Sequence, residues 1–103
     1  MKKTIKKSEL LHKLGAHLGT TNLCSPTSWR PVANQFEFRY ENGRAFQSYE
    51  SLVAVKMGGQ LYLGADHDYS KTTNKYMKAW TGKTAQERRD GIESGKFIYI
   101  VEG

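Results

Sequence analysis

Leu10, Leu14 and Leu18 recur four residues apart with Leu11 beside them, behind a Ser8 able to accept hydrogen bonds from the free amides of a helix start. The spacing predicts a short amphipathic helix over 8–18, stopped by Gly19 and weakened by Gly15, which costs about 1 kcal/mol relative to alanine. From 20 to 34 the chain is Thr, Asn, Ser and Pro around Trp29, and reads as a connecting loop pinned by one large side chain. Phe36, Phe38 and Tyr40 then alternate with Glu37, Arg39 and Glu41, a period of two that puts the aromatics on one face of a strand. Asn42-Gly43 suits a two-residue type I′ turn, so a second strand should return over 44–49, with Glu41 opposite Arg44 and Phe36 opposite Tyr49.

Residues 52–57 are almost continuously apolar, as in a strand covered on both sides, and Gly58-Gly59 turns them into 60–63, a second hairpin. With a helix start near Asp68 or Ser70, the side chains Tyr69, Thr73, Tyr76, Met77 and Trp80 fall in one apolar arc, and Gly82 ends the pattern. Thr84 stands three residues before Glu87, a capping-box spacing that opens a second helix over 85–94, before Gly95. The β-branched and aromatic run 97–101 makes the last strand. The predicted class is α+β, ordered α-β-β-β-β-α-α-β: a four- to five-stranded, mainly antiparallel sheet with the N-terminal helix and two helices of the C-terminal half gathered on one face. One domain fills 1–103, with 1–7 as a basic flexible arm and 20–34 as a loop. Such a sheet has edges that two copies could pair.

Charge changes this picture because it is segregated. Residues 1–13 carry a balance of +4 and residues 71–89 one of +5, whereas 14–70 sum to −1 and 90–103 to −2, for a total of +6. Local fields of this kind select polyanionic partners. Lys71, Lys75 and Lys78 project from the polar side of their helix as a ridge without a compensating acid, which is either ordinary solvation or a phosphate contact. Lys83 follows; Arg88 and Arg89 flank Ile92 and either join the basic surface or cover core edges with their stems. Lys2, Lys3, Lys6 and Lys7 belong to the arm. The lone Cys24 suits a reducing compartment, and the interrupted leucines after Met1 leave neither an export signal nor a membrane span, which together imply the cytoplasm.

Chemistry beyond binding finds little support. His12 and His17 lie about 140° apart on a helix and share no ligand face. His67 between Asp66 and Asp68 offers two carboxylates to a hard cation, or simply a turn and a helix cap. Thr81-Gly82-Lys83-Thr84 resembles the tail of a phosphate loop, but Met77 stands where that loop needs glycine, and a helix precedes it instead of a strand. Cys24 has no orienting third group. No catalytic residue, metal or cofactor is expected, and the protein reads as a non-enzymatic binder. Trp29, Tyr40, Phe46, Tyr49 and Tyr62 raise base stacking, but aromatics under helices are core; the face carrying Phe46 with Glu37 and Arg39 is the candidate exposed one.

Ser48-Tyr49 with Ser51 and Ala54, then Tyr62-Leu63-Gly64, the run Asp68-Tyr69-Ser70-Lys71-Thr72-Thr73 with Lys75-Tyr76, and finally Arg89, Ile92, Ser94-Gly95 and Phe97 resemble a small domain of unknown function encoded in bacteriophage and prophage genomes. The similarity spans about 28–100. It implies a small accessory protein made in an infected bacterial cytoplasm, with host takeover or evasion of host defence as a natural role, and no established activity.

Two partner classes follow. The basic helix and arm point to nucleic acid or a nucleoprotein, through Lys71, Lys75, Lys78, Lys83, Arg88, Arg89 and the N-terminal lysines. The alternative is an inhibitor that docks on a host protein through Trp29, sheet aromatics or an open edge strand.

Overall fold

The alternation that starts at Phe36 and the tight turns after it do build the middle of a sheet, but the sheet is wider than the pattern announces. A computed structural model describes residues 1–24, 28–68 and 70–102. In chain order the elements are β1 (Lys3–Lys6), α1 (Lys7–Leu14), β2 (His17–Cys24), β3 (Pro31–Tyr40), β4 (Gly43–Ser48), β5 (Ser51–Met57), β6 (Gln60–Leu63), a 3-10 turn (Ala65–Asp68), α2 (Lys71–Thr81), α3 (Ala85–Ser94) and β7 (Ile98–Val101). The described strands form one mixed sheet of seven, ordered β1-β7-β6-β5-β4-β3-β2.

The expected meander is β3 to β6, and β5 is the middle strand of the sheet. Two strands were not legible. Lys3–Lys6 is a parallel edge strand on β7 rather than a flexible arm, with only Ile5 buried, too short a segment to show a period. His17–Cys24 pairs antiparallel with β3 inside the stretch read as a loop. Residues 25–27 of that stretch lie outside the described residues. As an edge strand, β2 has no fully buried side chain, so its Thr and Asn carry no alternation to read. The sheet is mainly antiparallel, as expected, with parallel pairs where β7 meets β1 and β6. The helices between β6 and β7 return the chain to the end where β6 began, so β7 runs parallel to β6, as crossover connections require.

Helices cover both faces, contrary to the one-sided layout expected. Phe46, Val53, Ala54 and Leu63 pack with Tyr76 and Met77 of α2 and with Ile92 of α3. The alternate residues Ala45, Val55 and Tyr62 pack with Leu10 and Leu14 of α1, together with Ile5 and Ile100. Phe46 is therefore core rather than exposed, and Phe38 and Tyr40 are half-buried beside α1. Trp29 is 79% exposed and pins nothing, and Leu18, outside the helix, is 62% exposed.

Helix α1 ends at Leu14, four residues before the expected stop. Gly15 adopts φ +82°, and the β3–β4 turn closes the helix end. Asn42 donates its backbone N–H to the Leu14 carbonyl (3.0 Å) and its side-chain Nδ2 to that of Lys13 (2.9 Å), while Ala16 N–H donates to Glu41 Oε1 (2.6 Å). That docking moves the turn. Its two loop residues are Glu41 and Asn42, so Arg39 faces Arg44 and Phe36 faces Gln47, in place of the expected pairs. The register slips by two positions on the partner strand, which preserves the faces. The type I′ signature appears at the β5–β6 hairpin instead: Gly58 and Gly59 have φ +60° and +77° between the paired Met57 and Gln60.

Candidate functional site

The polar side of α2 is where the sequence places it. Ser70 caps the helix, accepting from the Thr73 N–H at 3.1 Å, and Thr73, Tyr76 and Met77 are buried; Tyr69 of the expected arc lies outside the described residues. Burying that arc leaves Lys71, Lys75 and Lys78 exposed along the outer face. None of them has an ion-pair partner among the described residues, where the salt bridges are Glu9–Lys13 and Asp68–Arg89.

The other expected cations do not all join this ridge. Lys3 and Lys6 sit on β1 at one sheet edge, where Lys2 lies over the Tyr99 ring at 4.4 Å. By contrast, α2 reaches across to β3, where Trp80 donates its indole N–H to Glu37 at 2.8 Å. Glu37 is thus a buried-side partner, not a solvent-face residue. Arg89 pairs with Asp68 at 3.0 Å and also donates to Gln86.

Lysines from separate parts of the chain do converge beyond the C-terminal end of α2. Lys56 of β5, Lys83 of the α2–α3 link and Lys96 before β7 rim a cavity of about 400 Å³ floored by Leu61 and Phe97. Lys56 donates to the Trp80 carbonyl at 2.6 Å, a cation at a helix C-terminus, and lies 4.4 Å over the Trp80 ring. Lys83 and Lys96 both face Glu87, whose carboxyl is held below its ordinary range first by hydrogen bonds from Thr84 and further by these ammonium groups. Neither Lys56 nor Lys96 belongs to a basic segment, so local charge counting passes over both.

Arg88, expected at the surface or a core edge, is fully buried. Its Nε donates to His67 Nδ1 (3.1 Å), Nη1 to the Lys83 carbonyl (2.8 Å), and Nη2 to the His67 carbonyl (3.0 Å) and to Asn74 Oδ1. One guanidinium thereby joins the 3-10 turn, α2 and the α2–α3 link, with four of its five N–H groups engaged, and its full burial keeps it from phosphate. Because His67 Nδ1 accepts, the imidazole is neutral with its proton on Nε2. Burial lowers the His67 pKa, Arg88 and Arg89 lower it further, and Asp68 opposes them. Below the unfolded value of about 6.5 the unfolded chain binds the proton more readily, so this contribution to stability is present above that pH and lost as the pH falls. Urea denaturation at pH 7.5 and 5.5 should show a lower midpoint at the acid pH. His67→Asn, whose Oδ1 replaces Nδ1 as acceptor, should shrink the difference; an equal pH response in both proteins would detach it from His67.

A second cavity, of about 800 Å³, opens beside the start of α2. Ser70, Thr72 and Thr73 line it from the helix, Ser48 and Ser51 from the paired ends of β4 and β5, and Tyr49 from the turn between them. Behind this wall Gln35 Nε2 donates to Ser48 Oγ (3.0 Å), Ser48 and Thr73 share a hydrogen bond (3.2 Å), and Ser70 donates to Thr73 (3.1 Å). Gln35 Oε1 is buried without a partner among the described residues. Asn34 and Tyr49, both at the cavity, hold φ of +65° and +56°, a costly conformation for residues other than glycine. The six hydroxyl-bearing residues named here all belong to the motifs that carry the sequence resemblance. Their common cavity had no signal in the sequence beyond that.

A family model described as a family of unknown function (DUF8033) matches residues 16–97, from the strand before β3 through α3, without β1, α1 or β7. No curated protein and no solved structure matches. Among the described residues no group of three or more His, Cys, Asp or Glu is placed to hold a metal ion, and no helix is long and apolar enough to cross a membrane.

Proposed function

The chain belongs to that family of unknown function (DUF8033), and from its own surface we propose that it acts by binding nucleic acid or a nucleoprotein complex along the outer face of α2 and the lysine-rimmed cavity at its far end. The observation that carries this reading is the exposed, unpaired row Lys71, Lys75 and Lys78. Like charges at this spacing cost a helix about 0.2–0.5 kcal/mol per pair, and no acid in the first turn offsets them. Lys56, Lys83 and Lys96 extend the row. Arg88 has no part in it, Arg89 is already paired, and the lysines of β1 contribute only to the long-range field.

Fluorescence anisotropy with labelled single-stranded DNA, duplex DNA and RNA tests the proposal. With about four to six phosphates contacted, log affinity should fall with log salt at a slope of roughly −3 to −5. The triple variant Lys71→Glu, Lys75→Glu, Lys78→Glu should bind about 10- to 100-fold more weakly and with a flatter slope, whereas Lys2→Glu, Lys3→Glu should bind nearly as the parent does. Unchanged affinity in the triple variant removes α2 from the account.

The resemblance drawn above supports placing this binding in a phage-type accessory protein of the host cytoplasm. One observation favours a second reading, an inhibitor docking on a host protein: Trp29, 79% exposed, lies between β2, whose outer edge is open, and β3. A partner captured from nuclease-treated lysate and lost on Trp29→Ala would select it.

A further inference from the structure

The cavity beside the start of α2 plays no part in that reading, and we propose that it binds a neutral ring bearing a vicinal diol, the chemistry shared by a free saccharide and the ribose of a ribonucleoside. Its size lies within the 300–1,000 Å³ typical of small-ligand sites. Its charges exclude the extremes. Glu50 and Asp66 line it without an ion pair among the described residues and repel an anion, while the positive end of the α2 dipole, at Ser70 and Thr72, disfavours a cation. What remains is a neutral guest that both donates and accepts hydrogen bonds.

The lining supplies that chemistry. The side chains of Asn34, Ser51 and Thr72 have no hydrogen-bond partner among the described residues, so their capacity is open to a guest or to water. A carboxylate accepts from two O–H groups at once, and Asp66 or Glu50 can take both hydroxyls of a diol. Ser48, only 4% exposed, accepts from Gln35 and so keeps its own O–H for Thr73 or for the guest. Tyr49, 56% exposed, stands at the mouth, where its left-handed backbone is tied down by a 2.6 Å hydrogen bond from its N–H to the Asn34 carbonyl. Its ring offers an apolar face to the C–H side of a sugar.

The test is a titration of the full-length chain, followed by two-dimensional amide NMR, with adenosine, uridine, their 2′-deoxy counterparts, methyl glucoside and methyl galactoside. Saturable shifts at Ser48, Tyr49, Ser51 and Thr72 are expected. Binding of ribonucleosides but not of deoxynucleosides assigns the ribose source; binding of the glycosides alone assigns the saccharide source. Asp66→Asn with Thr72→Val, both at partly or fully exposed positions, should weaken binding at least about tenfold with an unchanged melting curve, and Tyr49→Ala should do so independently. Absence of shifts up to about 10 mM of every diol, about tenfold above the roughly 1 mM end of the ordinary affinity scale, overturns the proposal. So does affinity unchanged in both variants, or stronger binding of inorganic phosphate or an alkylammonium at these amides. Loss of nucleic-acid binding by the lysine triple variant leaves this result untouched, so the two proposals fail separately.

Discussion

Arg88→Met should cost the fold about 3–5 kcal/mol, the range seen when one member of a buried charged network is removed. Methionine keeps much of the apolar stem, so the packing loss is small. The acceptors are what suffer. His67 Nδ1 and the His67 carbonyl would face no donor in a buried space, at about 1–3 kcal/mol for each unsatisfied group before relaxation, and Asn74 Oδ1 and the Lys83 carbonyl would lose theirs at partly buried positions. In a domain with a total stability of roughly 5–15 kcal/mol, that is a large share. Arg88→Lys should fall between the two, because a single ammonium cannot reach donors in the directions that a guanidinium fork spans. Chemical denaturation with matched m-values is the measurement. A loss under about 1 kcal/mol for the Met variant would mean that the three segments hold together without the guanidinium.

Gly91→Ala should destabilise by about 2–3 kcal/mol, a sign opposite to that of the same change in an unconstrained helix, where alanine gains about 1 kcal/mol over glycine. Gly91 is a buried position of α3, and a Cβ there would run into two carbons of the Phe97 ring. The ring has little freedom to retreat, since Phe97 is only 6% exposed and its N–H donates to the Gly91 carbonyl at 3.0 Å. Thermal denaturation of Gly91→Ala, Phe97→Leu and the double variant forms a cycle. The double variant should be more stable than the sum of the single losses implies, because leucine vacates the volume that the new methyl needs. A stabilised Gly91→Ala protein would show that α3 stands farther from Phe97 than described.

These two effects arise from contacts that pattern reading misses. Nothing local singles out Gly91, because helix propensity is a property of one residue, whereas the contact with Phe97 crosses the αβ connection. Arg88 reads as a surface cation or as cover for a core edge because arginine is rarely buried outright, and its full burial depends on acceptors from the 3-10 turn and α2 arriving together. The three α2 lysines were legible because a single helix fixes their mutual placement at 100° per residue. Lys56 and Lys96 were not, since only the return of β7 beside β6 brings Lys96 near the end of α2. The hydroxyl cavity is the same case: Ser48 and Thr73 are 25 positions apart and meet only when α2 lands on the β4–β5 turn.

The sequence by itself determined the elements whose signals are local. The strands of the β3–β6 meander, the glycine turn at Gly58-Gly59, the Ser70 cap and the reciprocal Thr84–Glu87 capping box are set by residues within one helical turn or one strand period and formed where those residues stand, while the β3–β4 register was moved by the docking of α1. Tertiary structure alone decided the width of the sheet, the helix on each face, the end of α1 at the β3–β4 turn, and which side chains share a cavity. The reason is that a period of 2 or 3.6 tells a residue's side from its neighbours' sides, and this measures burial. It does not say which distant segment supplies the cover, because that choice is made by chain closure and by the pairing of buried polar groups across the whole fold.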